Sequence, residues 1–176
     1  TDNLFATING GLSYRIFNIG AGRTVNLYNI EFTKSLPNDN NGGGALYINN
    51  NANVLVKDCK FNNNIANLKG GAIYIANAKV KLENCNFTLN KGYNSFPGSI
   101  DIKGNVIYAA PGADLTITNS DFIDNQPNSQ YGSNKPSDVC YGGVIYIDQA
   151  IVRVSNSNFI NNSVFNKRGA NDGGVF

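Results

Sequence analysis

The sequence predicts an all-β fold, a right-handed parallel β-helix (β-solenoid) of about five rungs, on three observations. A glycine pair opens an alternating strand as GGALYI (Gly43 to Ile48), GGAIYI (Gly70 to Ile75) and GGVIYI (Gly142 to Ile147), and begins again as GGVF (Gly173 to Phe176). Between these openings runs a second unit: VLVKDCKFNNN from Val54, VKLENCNFTLN from Val80, LTITNSDFIDN from Leu115 and VRVSNSNFINN from Val152. Both units return at a period of roughly 25 to 40 residues, the mark of units that bury their apolar faces only by stacking on neighbours.

Each element follows from its own pattern. From Val80 to Glu83 apolar and charged residues alternate, which makes a half-buried strand. Asn84 interrupts the alternation and Cys85 and Phe87 resume it, so a bend and a second short strand follow. Asn29, Asp58, Asn84, Asn119 and Asn156 occupy this bend, where a left-handed residue is needed, and are expected to stack as an amide ladder. The register predicts a core column of Phe32, Phe61, Phe87, Phe122 and Phe159, beside a column of Ile30, Cys59, Cys85, Ser120 and Ser157. The strand after each glycine pair points Leu46, Ile48, Ile73, Ile75, Ile107, Ala109, Ile145 and Ile147 inward. Three short strands per turn are expected, in a stack about 24 Å high. Residues Leu12 to Phe32 read as a degenerate first rung in which YRIF from Tyr14 replaces the glycine-pair strand. In the third rung Gly104 and Asn105 stand for the pair.

Composition narrows the function classes. A net charge of +2 with 15% charged residues makes no electrostatic case for nucleic acid. Polarity comes from amides, since Asn makes up roughly a sixth of the chain. The amides alternate with Val, Ile, Leu and Phe at a strand period, which excludes a disordered Asn-rich tract. Such a surface suits an extracellular solenoid. There is no signal peptide, membrane-spanning apolar run or initiating Met, and the last residues begin a repeat. Residues 1–176 are therefore expected to be one β-helix segment of a longer secreted or surface-anchored protein.

The chemistry-bearing residues are sparse. There is no His, which removes the commonest general base and metal ligand. Asp39, Asp101, Asp114, Asp121, Asp124, Asp138, Asp148 and Asp172 are spread along loops and bends. Asp121 and Asp124 are the nearest to a pair of the kind a glycosidase needs, and are expected to be solvated turn residues. No catalytic residue, metal ligand or cofactor is assigned. The three cysteines cannot form a complete disulfide framework. Cys59 and Cys85 share a column at about 4.8 Å, but in-register parallel strands aim both side chains the same way, so both are expected reduced and buried. Cys140 falls in a loop without an obvious partner. Asn86 and Asn161 head N-x-S/T sequons with outward side chains.

Two features point to binding. Tyr47, Tyr74, Tyr108 and Tyr146 each lie between inward aliphatics and so point outward, either as a platform for sugars or a protein partner or as a merely stabilising stack. Rung lengths differ between the FxxN Asn and the next glycine pair, at Ser35 to Asn41, Ile65 to Lys69, Lys91 to Lys103, Gln126 to Tyr141 and Ser163 to Asp172. These insertions are expected to leave one corner and form a binding face, with Tyr93, Phe96, Tyr131 and Tyr141 as contact groups beside Tyr74, Tyr108 and Tyr146.

GGAL, GGAI and GGVI, each followed by an FxxN such as Phe87 to Asn90, resemble the paired motifs of the chlamydial polymorphic outer membrane protein repeats and of adhesin-like surface proteins of methanogenic archaea. RIFNI at Arg15 and TVNLYNIEF at Thr24 are more similar to the archaeal group, over nearly the whole chain. The resemblance implies a cell-surface adhesin segment without cofactor or catalytic residues. Its expected partner is a glycan or protein on another cell, bound by a monomeric segment that does not insert in a membrane. The alternatives are a polysaccharide-degrading enzyme, lyase or glycosidase, and a purely structural stalk.

Overall fold

The computed structural model describes residues 4–94, 101–129, 140–164 and 175. Among them every regular element is a strand and every ladder is parallel. A valine-rich sheet stacks Thr24–Tyr28, Asn53–Lys57, Lys79–Glu83, Asp114–Thr118 and Ile151–Ser155. A phenylalanine sheet stacks Ala6–Asn9, Ile30–Thr33, Lys60–Asn62, Asn86–Thr88, Asp121–Ile123 and Asn158–Ile160. A tyrosine sheet stacks Phe17–Ile19, Leu46–Ile48, Ile73–Ile75, Ile107–Ala109 and Ile145–Ile147. These make the five expected rungs, preceded by Ala6–Asn9, a strand the sequence reading did not contain.

Three strands per turn is an undercount. Ile65–Asn67, Lys91–Asn94 and Asn128–Ser129 form a further sheet, and Ile102–Lys103 pairs with Cys140–Tyr141. The start and end of the insertions are thus part of the rungs, because parallel stacking satisfies their backbone groups even where side-chain alternation is weak. The first rung also differs in detail: Phe17 pairs with Leu46, so YRIF lies over GGAL and FNI over LYI.

The core columns stand where the register places them. Phe32, Phe61, Phe87, Phe122 and Phe159 stack with centroids 4.6–4.8 Å apart. All the inward aliphatics of the tyrosine sheet are buried except Ile147, which is exposed because no described strand stacks beyond it.

Two corners per rung take the left-handed conformation. Asn29, Asp58, Asn84, Asn119 and Asn156 have φ of 49–53°, as the bend requires. Lys34, Asn63, Leu89, Asp124 and Asn161 repeat this two residues after each Phe, at φ 52–56°. The amide ladder, however, runs elsewhere than expected. At the exposed bend the one ladder bond found is Asn84 Nδ2 to Asp58 Oδ1 (3.0 Å). The continuous ladder is made by the last Asn of each FxxN: Asn64 donates to Asn90, Asn90 to Asn125, and Asn125 to Asn162, at 2.9–3.1 Å. Burial decides between the two sites, since an exposed amide is satisfied by water and a buried one has only its neighbours.

The glycine pairs solve a packing problem. Gly70 has φ 54°, and a Cβ on Gly71 would lie 2.2 Å from the Asn105 carbonyl and 2.3 Å from that of Lys91. Gly104 (φ 69°) and buried Asn105 replace the pair in the next rung, as the alignment places them.

Cys59, Cys85 and Cys140 are buried, and none of them forms a disulfide among the described residues. The Cys85 thiol donates to the Glu83 and Val56 carbonyls, and burial pushes it up to about 12. Burial likewise raises Cys59. Cys140 is not a loop residue: it sits in the strand paired with Ile102–Lys103 and donates to Asn105 Oδ1 (3.4 Å).

Candidate functional site

The tyrosine column forms, but as a stack rather than an open platform. Tyr47, Tyr74, Tyr108 and Tyr146 lie nearly parallel with centroids 4.7–5.4 Å apart, so each inner ring face is covered by the next ring. Arg15, Lys69 and Lys103 place cations 5.1–5.3 Å from the Tyr47, Tyr108 and Tyr146 centroids. Tyr108 is only 3% exposed, which corrects the expectation of an outward contact group. Its hydroxyl donates to Asp148 at 2.6 Å; burial first, and that carboxylate second, raise its pKa. Tyr74 and Tyr146 are half-buried. Parallel stacking explains the column without a ligand.

The remaining aromatic candidates part company. Phe96 and Tyr131 lie outside the described residues. Tyr141 is half-buried in the strand beside Ile102–Lys103. Tyr93 alone lines a groove.

That groove, of about 600 Å³, is walled by Leu12, Ser13, Tyr14, Leu36, Pro37, Asn38, Asn67 and Tyr93. Local structure fixes each wall. The turn at residues 10–13 is seated on the second corner of the first rung by bonds from Gly10 N to Thr33 O (2.9 Å) and Leu12 N to Lys34 O (2.7 Å), which sets Tyr14 at the rim. A Cβ on Gly10 would lie 2.8 Å from Ser35 Cα, so only glycine permits this approach. The segment after Ser35 is held by Arg15, whose guanidinium grips both oxygens of Asp39 at 2.7 and 2.9 Å and also donates to the Gly42 and Gly43 carbonyls. Burial opposes ionisation of Asp39, but the Arg15 and Asn41 hydrogen bonds outweigh it and hold the carboxyl below its usual value. Asn67 reaches across from the next rung, donating from Nδ2 to Asp39 O and Asn40 Oδ1, both at 3.3 Å. Tyr93 pairs with Asn67 one rung further on.

Of the groove residues the sequence marked Tyr93, and placed Leu36 to Asn38 within an insertion. Asn67 it placed within the insertion Ile65 to Lys69, and it missed Leu12 to Tyr14, read there as rung. The signal that could have found them is the Gly10-Gly11 pair before Tyr14, a turn in the place of a strand.

Four of the carboxylates marked in the sequence are bonded within the fold. Asp39 is held by Arg15, Asp114 by Arg153, and Asp148 by Tyr108. Asp121 accepts from Asn158 Nδ2 at 2.8 Å and Asp124 is a left-handed corner residue, so this pair has structural work on both sides. Asp138 and Asp172 lie outside the described residues. Among the described residues no three His, Cys, Asp or Glu side chains converge as a metal site requires. Of the sequon residues, Asn161 is exposed and Asn86 half-buried.

Comparison with protein families matches residues 6–175 to the right-handed β-helix region. The chain belongs to the right-handed β-helix family. No curated protein and no solved structure matches it. For this β-helix the family defines the solenoid and its handedness, and the five stacked rungs are its realisation.

Proposed function

We propose that this β-helix is an extracellular adhesion segment displayed at a cell surface, which binds a glycan or protein of another cell through its loop-bearing face and is not an enzyme. The observation that carries the reading is the groove built from the turn at residues 12–14 and the inserted segments: residues 12–14 and 36–38 with Asn67 and Tyr93 bring aromatic, apolar and amide groups together. The GGAI and FxxN repeats, similar to those of archaeal adhesin-like proteins, support the same reading. The segment acts as a monomer without cofactor and without nucleic-acid partner. Weak single contacts at so open a surface imply that attachment depends on many displayed copies.

The test is attachment of the fluorescently labelled chain to candidate target cells, monomeric and clustered on beads. Clustered chain should bind and excess soluble chain should compete. Deleting residues 130–139, which spares the Cys140–Tyr141 strand, asks whether the longest insertion contributes. If clustered chain binds no cell and releases no sugar from polysaccharide, the stalk reading takes its place; release of sugar would make it an enzyme.

A further inference from the structure

We infer that the groove between Tyr14 and Tyr93 is a binding site for a neutral oligosaccharide, with Asn67 as a hydrogen-bond acceptor at its wall. The inference rests on the adhesion reading for its biological sense, but its argument is local.

Three features select the ligand. The groove combines the rings of Tyr14 and Tyr93 with the apolar surfaces of Leu36 and Pro37, the kind of surface on which the C–H faces of a sugar ring pack. Its polar groups are amides and hydroxyls, from Asn38, Asn67 and the tyrosines, which both donate and accept as sugar hydroxyls demand. Among the described residues no lining residue is charged, and the adjacent Arg15 and Asp39 neutralise one another at 2.7 Å. A charged uronate or sulfated chain would therefore find no counter-ion in the groove.

A second observation points to a missing partner. Asn67 is 8% exposed and its Nδ2 is committed to Asp39 O and Asn40 Oδ1, which fixes the amide orientation. Its Oδ1 is the one buried side-chain polar atom among the described residues without a hydrogen-bond partner. Buried acceptors are paired in native proteins, and an orphan one calls for a reason. Among the described residues every other buried Asn is bonded through the rungs: Asn64, Asn90 and Asn125 form the ladder, and Asn105 donates to Ser163 O. Asn67 lines the groove, and a ligand hydroxyl that reaches its enclosed Oδ1 by a small shift of the amide supplies the donor that the fold omits.

The test is a panel of linear neutral hexasaccharides of glucose, mannose, galactose and N-acetylglucosamine, with a hexauronate as charged comparison, titrated into the whole chain by calorimetry and ligand-observed NMR. At least one neutral member should bind and the uronate should not. Tyr14→Ala should weaken that binding at least tenfold; Tyr14 is 73% exposed, so its removal leaves the core intact. Tyr93→Ala and Asn67→Ala should do likewise, while Tyr28→Ala, an exposed tyrosine of the valine-rich sheet, should leave binding unchanged. Neutral binding indifferent to Tyr14→Ala would move the site elsewhere and overturn the inference. Cells that bind the chain while every panel member fails would overturn the neutral glycan but leave adhesion standing, and uronate binding would overturn the charge argument.

Discussion

Asn90 donates through Nδ2 both to Oδ1 of Asn125 on the next rung, at 3.1 Å, and to the Phe61 carbonyl on the previous one, at 2.9 Å. Its own Oδ1 accepts from the backbone and side-chain nitrogens of Asn64, each at 3.1 Å. Both amide protons and both acceptor positions are thereby used in a residue with no exposed surface.

Replacing Asn90 by Ala takes the partner of the Asn64 backbone nitrogen and the amide bond to the Phe61 carbonyl out of a dry interior, while Asn64 Nδ2 keeps its bond to Phe32 O. At roughly 1 to 3 kcal/mol for each of these two buried groups, the loss should be about 2 to 6 kcal/mol. Urea unfolding should show it, and Asn84→Gly, at the solvated bend, should cost far less.

Phe87 is sandwiched between Phe61 and Phe122, both at 4.6 Å. Phe87→Ala should cost about 3 to 5 kcal/mol, because the rungs are fixed by backbone ladders and cannot close on the cavity. A thermal or urea melt measures this, and a loss below 1 kcal/mol would mean that the column is not the core.

Leu89 is held at φ 56° although it is 47% exposed and carries a branched side chain. Asn occupies the equivalent corner at Asn63 and Asn161. Leu89→Asn should therefore stabilise the fold by about 1 kcal/mol, the penalty of a left-handed ordinary residue. Unchanged stability in urea would show that the Leu89 side chain makes compensating contacts.

Glu83 is depressed from 4.5 to about 2 by hydrogen bonds first from Lys57 and then from Lys81, both at 2.8 Å. A carboxyl lowered in the folded state contributes stability above its unfolded pKa and loses it as pH falls through the folded one. Stability should decline between pH 4.5 and about 2, with a smaller decline in Glu83→Gln, as acid titration of the melting temperature would record.

The three thiols should resist alkylation in the native chain at pH 8, since all are buried and Cys85 is pushed up to about 12. All three should react once the chain is unfolded. A mass change of two hydrogens on reduction would contradict the free-thiol state.

Strand alternation, the recurring Phe and the bend Asn residues were legible without coordinates, because a solenoid writes its register as a period that any two copies reveal. The same logic ordered the columns Phe61–Phe87–Phe122 and Cys59–Cys85–Ser120 correctly. Alternation says which way a side chain leaves its own strand, not what arrives to cover it. Tyr108 does point away from the inward aliphatics, yet ring stacking and the Asp148 hydroxyl contact bury it. FxxN likewise marks Asn90 as recurrent, but only stacking decides that its amide is buried and Asn84 is not. The groove is a property of tertiary structure alone, since Tyr14, Asn38, Asn67 and Tyr93 come from successive rungs that meet only when the chain has wound upon itself.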